Sequence, residues 1–335
     1  MELWQDIMKT DMKQALAFDP AKDYDAWRKE LREKFVSLLG LDAIEANAAA
    51  DPALEIESEE KKDGYVLTRF TFASEEGTRV PCYLVVPDTG KETYPTVITL
   101  QGHSTGFHNS VGIVQFDRDV EYQPRGCFAL QAVEHGYAAL CIEQRGMGER
   151  CPTEKNRGGR TCAFTAMRSL MMGRTVLGER VFDISRAIDV LANFPVCDTT
   201  RLVVTGNSGG GTATYYAACY DERIRYAVPS CAFCTYKASI LDMSHCTCNY
   251  IPNAYQYFEM QDLAALIAPR HMTVIAGVED NIFPIEGVRE GFETVKRIYE
   301  KANAKDQCHM IETPKNHWWC VDIVWPEIDR LIKGE

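Results

Sequence analysis

The spacing of hydrophobic residues along this chain changes its period twice. Near the N-terminus, apolar residues fall on one face of a helix: Trp27, Leu31, Phe35, Leu38 and Leu39. Gly40 follows as a helix stop, and the Ala-rich stretch 43–54 either continues as helix or forms a surface connection. The pattern predicts an N-terminal helical extension over residues 1–60.

The next segment alternates with a period of two. Residues 65–72 and 80–86 both follow this alternation, and the polar stretch 74–77 between them has the composition of a turn. The pair is therefore predicted to form an antiparallel hairpin.

From Thr96 onward, short apolar runs alternate with helical patterns. The runs predict strands at 97–100, 137–142, 202–204, 226–228, 272–276 and 308–311. The segments between them predict helices at 128–134, 180–191, 212–220 and 287–299. This order predicts an α/β fold with a mostly parallel central sheet and helices on both faces. We expect one catalytic domain over 61–335.

Composition narrows the class of protein. The 335 residues are 46% hydrophobic and 25% charged, values typical of globular chains. The formal net charge of −12, without a basic block, argues against nucleic acid or an anionic membrane as partner. The 13 cysteines are irregularly spaced, several within apolar runs, which favours buried thiols in a reducing compartment. With no apolar leader visible and no run long enough to cross a membrane, we expect a cytoplasmic protein.

The strongest local signal is Gly206-Asn207-Ser208-Gly209-Gly210, which matches G-x-S-x-G. An apolar strand precedes it and a helical pattern follows it, the context in which a serine hydroxyl is raised above a sheet as a nucleophile. The glycines allow the strand and the helix to approach closely. The Gly209 N–H would point at a developing oxyanion.

A serine nucleophile requires a base and a carboxylate, expected in the chain order serine, acid, histidine. Asp280 follows the predicted strand 272–276, with Glu279 as its immediate competitor. His317 follows the last predicted strand and could accept the serine proton. We predict a triad of Ser208, Asp280 and His317.

The loop after the strand 97–100 is expected to supply the second oxyanion donor. It reads Gln101-Gly102-His103-Ser104-Thr105-Gly106-Phe107-His108, and the backbone N–H of His103 or Ser104 is the candidate. The side chains predicted to line the substrate pocket are His108, Tyr250 and Trp318.

A competing signal for zinc lies further along the chain. Cys231-x-x-Cys234 is followed by His245-Cys246-Thr-Cys248, a group of thiols and an imidazole within a short span. Because the second half is C-x-C, we favour a cap or pocket-wall insertion at 231–269 and predict no metal.

These motifs make the sequence resemble the α/β-hydrolase superfamily, and within it the acetyl xylan esterase-like and dienelactone-hydrolase-like branch. The resemblance spans about residue 65 to the C-terminus, and rests on 101–106, Arg145-Gly146-Met147-Gly148, 206–210, Asp280 and His317. It implies an esterase that needs no cofactor and deacetylates a carbohydrate or a similar small polar ester. A lactone or peptide hydrolase on the same triad and a catalytically silent binding protein are the alternatives. A homo-oligomer is possible.

Overall fold

The computed structural model describes residues 6, 9, 12–152 and 161–334, and every structural statement below refers to them. The strands are β1 Glu55–Lys61, β2 Tyr65–Phe72, β3 Val80–Pro87, β4 Tyr94–Leu100, β5 Ala138–Ile142, β6 Cys197–Asn207, β7 Tyr226–Ser230, β8 His271–Gly277 and β9 Cys308–Thr313. The α-helices, numbered among these residues, are α1 Tyr24–Leu39, α2 Leu41–Glu45, α3 Phe128–Glu134, α4 Cys162–Met171, α5 Val176–Val190, α6 Gly209–Tyr220, α7 Ala254–Tyr257, α8 Ile285–Lys301 and α9 Val321–Lys333. Short 3-10 helices lie at Phe107–Val111, Asp117–Tyr122, Gly148–Arg150, Leu191–Asn193, Thr247–Asn249, Met260–Leu266 and Lys305–Gln307.

The strands form one sheet in the order β1-β2-β3-β5-β4-β6-β7-β8-β9. The first three strands are antiparallel, as is the pairing of β3 with β5, and the pairs from β5 through β9 are parallel. The predicted hairpin and the mostly parallel sheet are therefore confirmed. Because parallel strands share a direction, the carboxyl ends of β4, β6, β8 and β9 lie at one edge.

Helices cover both faces of this sheet. Along β5, Leu140 packs in a core shared with residues of α1, α5, α6 and α8, whereas Cys141 packs with residues of α3 and α9 on the other face. All five residues of β5 are buried, as expected for a strand covered on both sides. No helix in the described ranges is long and apolar enough to cross a membrane.

The N-terminal part combines a predicted helix with an unpredicted strand. Asp23 caps α1 by accepting from the Ala26 N–H at 2.7 Å, and Gly40 ends it at φ 72°. The apolar face of α1 is buried in the core. Within the segment expected to be helical, β1 adds an edge strand whose seven residues are all exposed. Its sequence, EIESEEK, has no apolar alternation from which a strand could be predicted.

A buried ion-pair cluster ties the region before β3 to the loop after β5. The Arg145 guanidinium pairs with Asp183 at 2.9 Å and with Glu75 at 2.6 Å, and both carboxylates are buried. Arg174 pairs with Glu75 from a third segment. Arg145 therefore connects these segments through ion pairs.

A second buried carboxyl supports the loop after β4. Glu143 is fully buried, and its Oε2 accepts from the N–H groups of Phe107 and Glu149 at 3.3 and 3.1 Å. Its Oε1 accepts from the Gln101 amide at 2.9 Å. Burial raises the pKa of Glu143 to about 8, outweighing the two backbone hydrogen bonds that favour the ionised form.

This raised pKa predicts how stability depends on pH. The folded protein keeps the Glu143 proton up to about pH 8, whereas the unfolded chain releases it near the ordinary carboxyl pKa of 4.5. The group therefore lowers the free energy of unfolding as pH rises from about 5 to 8. Glu143→Gln has no titrating carboxyl here, so its free energy of unfolding should not fall with this group. Its free energy of unfolding should therefore rise relative to that of the wild type by a few kcal/mol across this pH range, on the order of 1.4 kcal/mol per pKa unit.

Urea unfolding of Glu143→Gln and of the wild type between pH 5 and 9 measures the difference in their free energies of unfolding. The Gln101 Oε1 is buried without a hydrogen-bond partner in the described chain, so a half-turn of that amide would let it accept from the introduced amide. Glu92→Gln, at an exposed position, is the matched control and should track the wild type. A gap between Glu143→Gln and the wild type that stays constant or narrows with pH would contradict the prediction.

Candidate active site

Ser208 lies at the sharp turn between β6 and α6. Its backbone has φ 56° and ψ −121°, a left-handed conformation that costs free energy for a residue with a Cβ. Its N–H donates to the Ser230 carbonyl at 2.9 Å, and its carbonyl accepts from Thr212 in the first turn of α6. The strand–turn–helix context predicted from the sequence is present.

The turn fits only because two glycines allow the backbone of β4 to approach. A Cβ built on Gly206 would lie 2.3 Å from the Leu100 carbonyl oxygen, and one on Gly210 would lie 1.9 Å from the same atom. Both distances are far shorter than a van der Waals contact. The atom they would meet belongs to the backbone of β4, which cannot move aside as a flexible side chain could. The glycines on either side of the predicted nucleophile are therefore steric requirements.

Asp280 and His317 meet at the same edge of the sheet. The Asp280 Oδ2 lies 2.8 Å from the His317 Nδ1, and its Oδ1 accepts from the N–H groups of Ile282 and Phe283 at 2.8 and 3.1 Å. Asp280 is buried, while its sequence neighbour Glu279 is exposed. The structure thus selects Asp280 over Glu279 as the partner of His317.

His317 also lines a cavity. His317 Nε2 is buried without a hydrogen-bond partner among the described residues, and the ring stacks on Phe283 with centroids 6.0 Å apart. Ser208 and His317 both line this cavity, whose volume is about 630 Å³. An imidazole that pairs with a carboxylate at Nδ1, has an unpartnered Nε2 and shares a cavity with a serine has the features needed of a general base.

The predicted oxyanion residues also lie around this cavity. His103 and Ser104 line it, and Gly209 begins α6 beside them. A Cβ on Gly209 would lie 2.9 Å from the His103 Nδ1, so the two residues are in close contact. The N-terminal end of α6 adds the positive end of a helix dipole at the same place.

The structure does not place the three predicted pocket side chains on the cavity wall. His108 is buried beneath the loop, where its Nε2 lies 2.9 Å from the Asp119 Oδ2. Tyr250 supports the wall from behind, its hydroxyl accepting from the His245 N–H at 3.4 Å. Trp318 is 41% exposed, and the guanidinium of Arg125, which does line the cavity, lies 3.5 Å from its ring centroid. In each case the orientation of the side chain, which sequence pattern does not give, places it outside the cavity.

His245 is a cavity residue whose sequence context indicated only a possible metal ligand. It comes from the predicted insertion, its Nε2 lies 3.0 Å from the Ser239 hydroxyl, and its ring meets Phe283 edge-on at 5.4 Å. Burial is the main cause that lowers the pKa of His245, and the nearby His317 lowers it further. Its position just across Phe283 from His317 could not be predicted from the spacing of the two residues.

The structure separates the five residues of the competing zinc signal. Cys234 donates toward the Pro284 carbonyl, and Cys231 lies close to the Asp280–His317 pair. Burial, then the charge of Asp280, raises the pKa of the Cys231 thiol to about 12, which keeps the thiol neutral beside Asp280 and His317. Cys246 and Cys248 instead lie together near His103. Eleven of the 13 cysteines are buried, in keeping with the expectation of interior thiols.

Comparison with known proteins agrees with this architecture. A curated protein of Bacillus subtilis (strain 168), named "Putative hydrolase YtaP", is 24% identical over 294 residues, covering 87% of this chain and 94% of that protein. The structure described as "a putative acetyl xylan esterase" from Bacteroides fragilis NCTC 9343 superposes with a TM-score of 0.80 at 17% identity, covering 97% of this chain and 93% of that one. The structure of the glucuronoyl esterase from Solibacter usitatus superposes with a TM-score of 0.68 at 17% identity, and the superposition covers 96% of this chain and 97% of that one. The model of the Abhydrolase family matches residues 5–319, so the chain belongs to this family and has the α/β-hydrolase fold.

Proposed function

We propose that the protein is a serine carboxylic-ester hydrolase that works through an acyl-enzyme. The observation that carries the proposal is the state of His317. One ring nitrogen pairs with a buried carboxylate, and the other is buried without a hydrogen-bond partner among the described residues, while Ser208 lines the same cavity as His317. A buried nitrogen without a partner is costly unless a substrate or nucleophile uses it.

The first half of the reaction forms the acyl-enzyme. The Ser208 Oγ attacks the ester carbonyl as His317 Nε2 takes its proton, and Asp280 stabilises the imidazolium through Nδ1. The negative charge on the carbonyl oxygen is stabilised by the Gly209 N–H at the start of α6, together with a backbone N–H of His103 or Ser104. His317 then donates its proton to the departing alcohol, leaving the acyl group esterified to Ser208.

The second half reverses these roles. Water enters the site vacated by the alcohol, and His317 Nε2 takes its proton as the oxygen attacks the acyl carbon. The same N–H groups stabilise the second oxyanion. When it collapses, the Ser208 oxygen recovers the proton from His317 and the carboxylic acid leaves, so that the cycle uses no cofactor.

The cavity suits a small polar ester. Its wall combines aromatic rings, such as Phe128 and Trp319, with amide groups of Asn109, Asn207 and Asn249. Rings that pack on apolar faces and amides that bind hydroxyls form a surface suited to a sugar. Together with the esterases among the similar structures, this supports a carbohydrate ester with a small acyl group as the substrate.

Hydrolysis of a chromogenic acetate ester tests the nucleophile. Ser208→Ala should lower kcat by at least about 10³-fold, because no other atom can form the acyl-enzyme. Ser37→Ala, at an exposed position on α1, should retain wild-type activity. Equal rates for Ser208→Ala and the wild type would refute the proposal, and preferential turnover of lactones or peptides over acetates would change the substrate class.

The role of Asp280 generates a second prediction. Asp280→Asn keeps an oxygen that can cap the Ile282 and Phe283 N–H groups, but its amide would donate to His317 Nδ1 and move the ring proton to Nε2. An imidazole protonated there cannot accept from Ser208, so kcat should fall by about 10³- to 10⁴-fold with little change in thermal stability.

Glu279→Gln is the matched control for Asp280→Asn, since it changes the neighbouring carboxylate, which is exposed. It should leave kcat within about twofold of the wild type, the range expected when no transition-state contact is removed. If Glu279→Gln lost activity and Asp280→Asn kept it, the assignment of the triad acid would be overturned.

A further inference from the structure

Four metal-ligating side chains from three distant segments converge beside the active-site cavity. They are His103 of the loop after β4, Cys162 at the start of α4, and Cys246 and Cys248 of the 231–269 segment. Their ligand atoms all lie within 4.8 Å of one another. We refer to these four residues as the thiol–imidazole cluster.

The spacing inside the thiol–imidazole cluster is close to that of a tetrahedral site. The His103 Nε2 lies 3.2 Å from the Cys248 Sγ, and the Cys248 and Cys246 sulfurs are also 3.2 Å apart. Zinc bonds of about 2.0–2.3 Å in tetrahedral geometry place neighbouring ligand atoms roughly 3.5–3.8 Å apart. All the ligand atoms lie within 4.8 Å of one another, so shifts of at most about one ångström would bring the four atoms around one ion.

A buried cation beside the cluster supplies an independent observation. Arg180 is 1% exposed, and its guanidinium donates to the Arg145 carbonyl at 2.7 Å and to the Cys162 sulfur at 3.2 Å. No carboxylate in the described part of the chain forms an ion pair with it. A buried guanidinium needs a compensating negative charge nearby.

We propose that the thiol–imidazole cluster is a structural zinc site, with His103 Nε2 and the sulfurs of Cys162, Cys246 and Cys248 as ligands. On binding, the three thiols release their protons to solvent. Three thiolates, a neutral imidazole and Zn²⁺ sum to a charge of −1, which Arg180 balances. Because four protein ligands complete the coordination sphere, the ion has no open position for water or substrate.

The site would join three walls of the active-site cavity. His103 belongs to the loop proposed to donate to the oxyanion, and its ring contacts Gly209. Cys246 and Cys162 line the cavity from two other segments. A zinc ion at this point would fix the loop, α4 and the 231–269 segment to one another, giving the loop backbone a defined position.

The first test measures metal in the full-length protein, purified without chelator in the presence of a phosphine reductant. Elemental analysis should find about one zinc per chain in the wild type and less than about one tenth in Cys248→Ser and Cys162→Ser. Cys234→Ser is the matched control: a buried cysteine of the same segment, outside the cluster, that should retain full zinc.

The second test does not depend on the folding of any variant. The wild-type protein, stripped of metal and loaded with Co²⁺, should show thiolate-to-cobalt charge-transfer absorption and the intense visible bands of tetrahedral cobalt. Chelation should lower its Tm, and Zn²⁺ should restore it.

Three outcomes would overturn the proposal. The first is a wild type that neither contains zinc nor binds Co²⁺ with tetrahedral spectra. The second is a zinc loss in Cys234→Ser equal to that in Cys248→Ser. The third is a disulfide between cluster cysteines that persists in protein purified with the phosphine reductant, as shown by mass spectrometry. Metal content is independent of ester hydrolysis. Ser208→Ala should therefore hold zinc like the wild type, and a failure of the proposed activity would leave the zinc result intact.

Discussion

The edge of the sheet that carries the proposed active site depends on one close contact, between the end of β4 and the turn that joins β6 to α6. The Leu100 carbonyl lies where side chains at Gly206 or Gly210 would have to be, and Leu100 pairs with Gly206 in the sheet. This contact sets the left-handed backbone of Ser208 and places the loop after β4 beside it. Because β8 and β9 run parallel to β6, Asp280 and His317 arrive at the same edge.

Buried polar groups hold the loops around that edge in place. Glu143 connects Gln101 with the backbone at Phe107 and Glu149, and Arg145 connects Asp183 with Glu75. Such groups specify geometry because each has few ways to satisfy its hydrogen bonds away from water. The 231–269 segment supplies part of the cavity wall and two ligands of the thiol–imidazole cluster, and the proposed zinc ion would give this wall a comparably fixed position.

Much of the fold followed from the sequence because the parallel strands are short apolar runs between turn residues. For the same reason Ser208, Asp280 and His317 could be predicted to reach one edge of the sheet, since each lies within a few residues of the end of such a strand. The edge strand β1 could not be predicted from the sequence, because its residues are exposed and show no apolar alternation. The orientations of His108, Tyr250 and Trp318 and the meeting of His103 with Cys248 depend on tertiary packing, which no local period encodes.

The central claim is that Ser208 is a nucleophile activated by His317. The most direct measurement is reaction of the protein with a fluorophosphonate, followed by mass spectrometry of the proteolysed product. We predict a single adduct on the peptide that contains Ser208, and we expect it to be lost in His317→Ala although that variant remains folded. An adduct on another residue, or no adduct on a folded wild-type protein, would contradict this prediction.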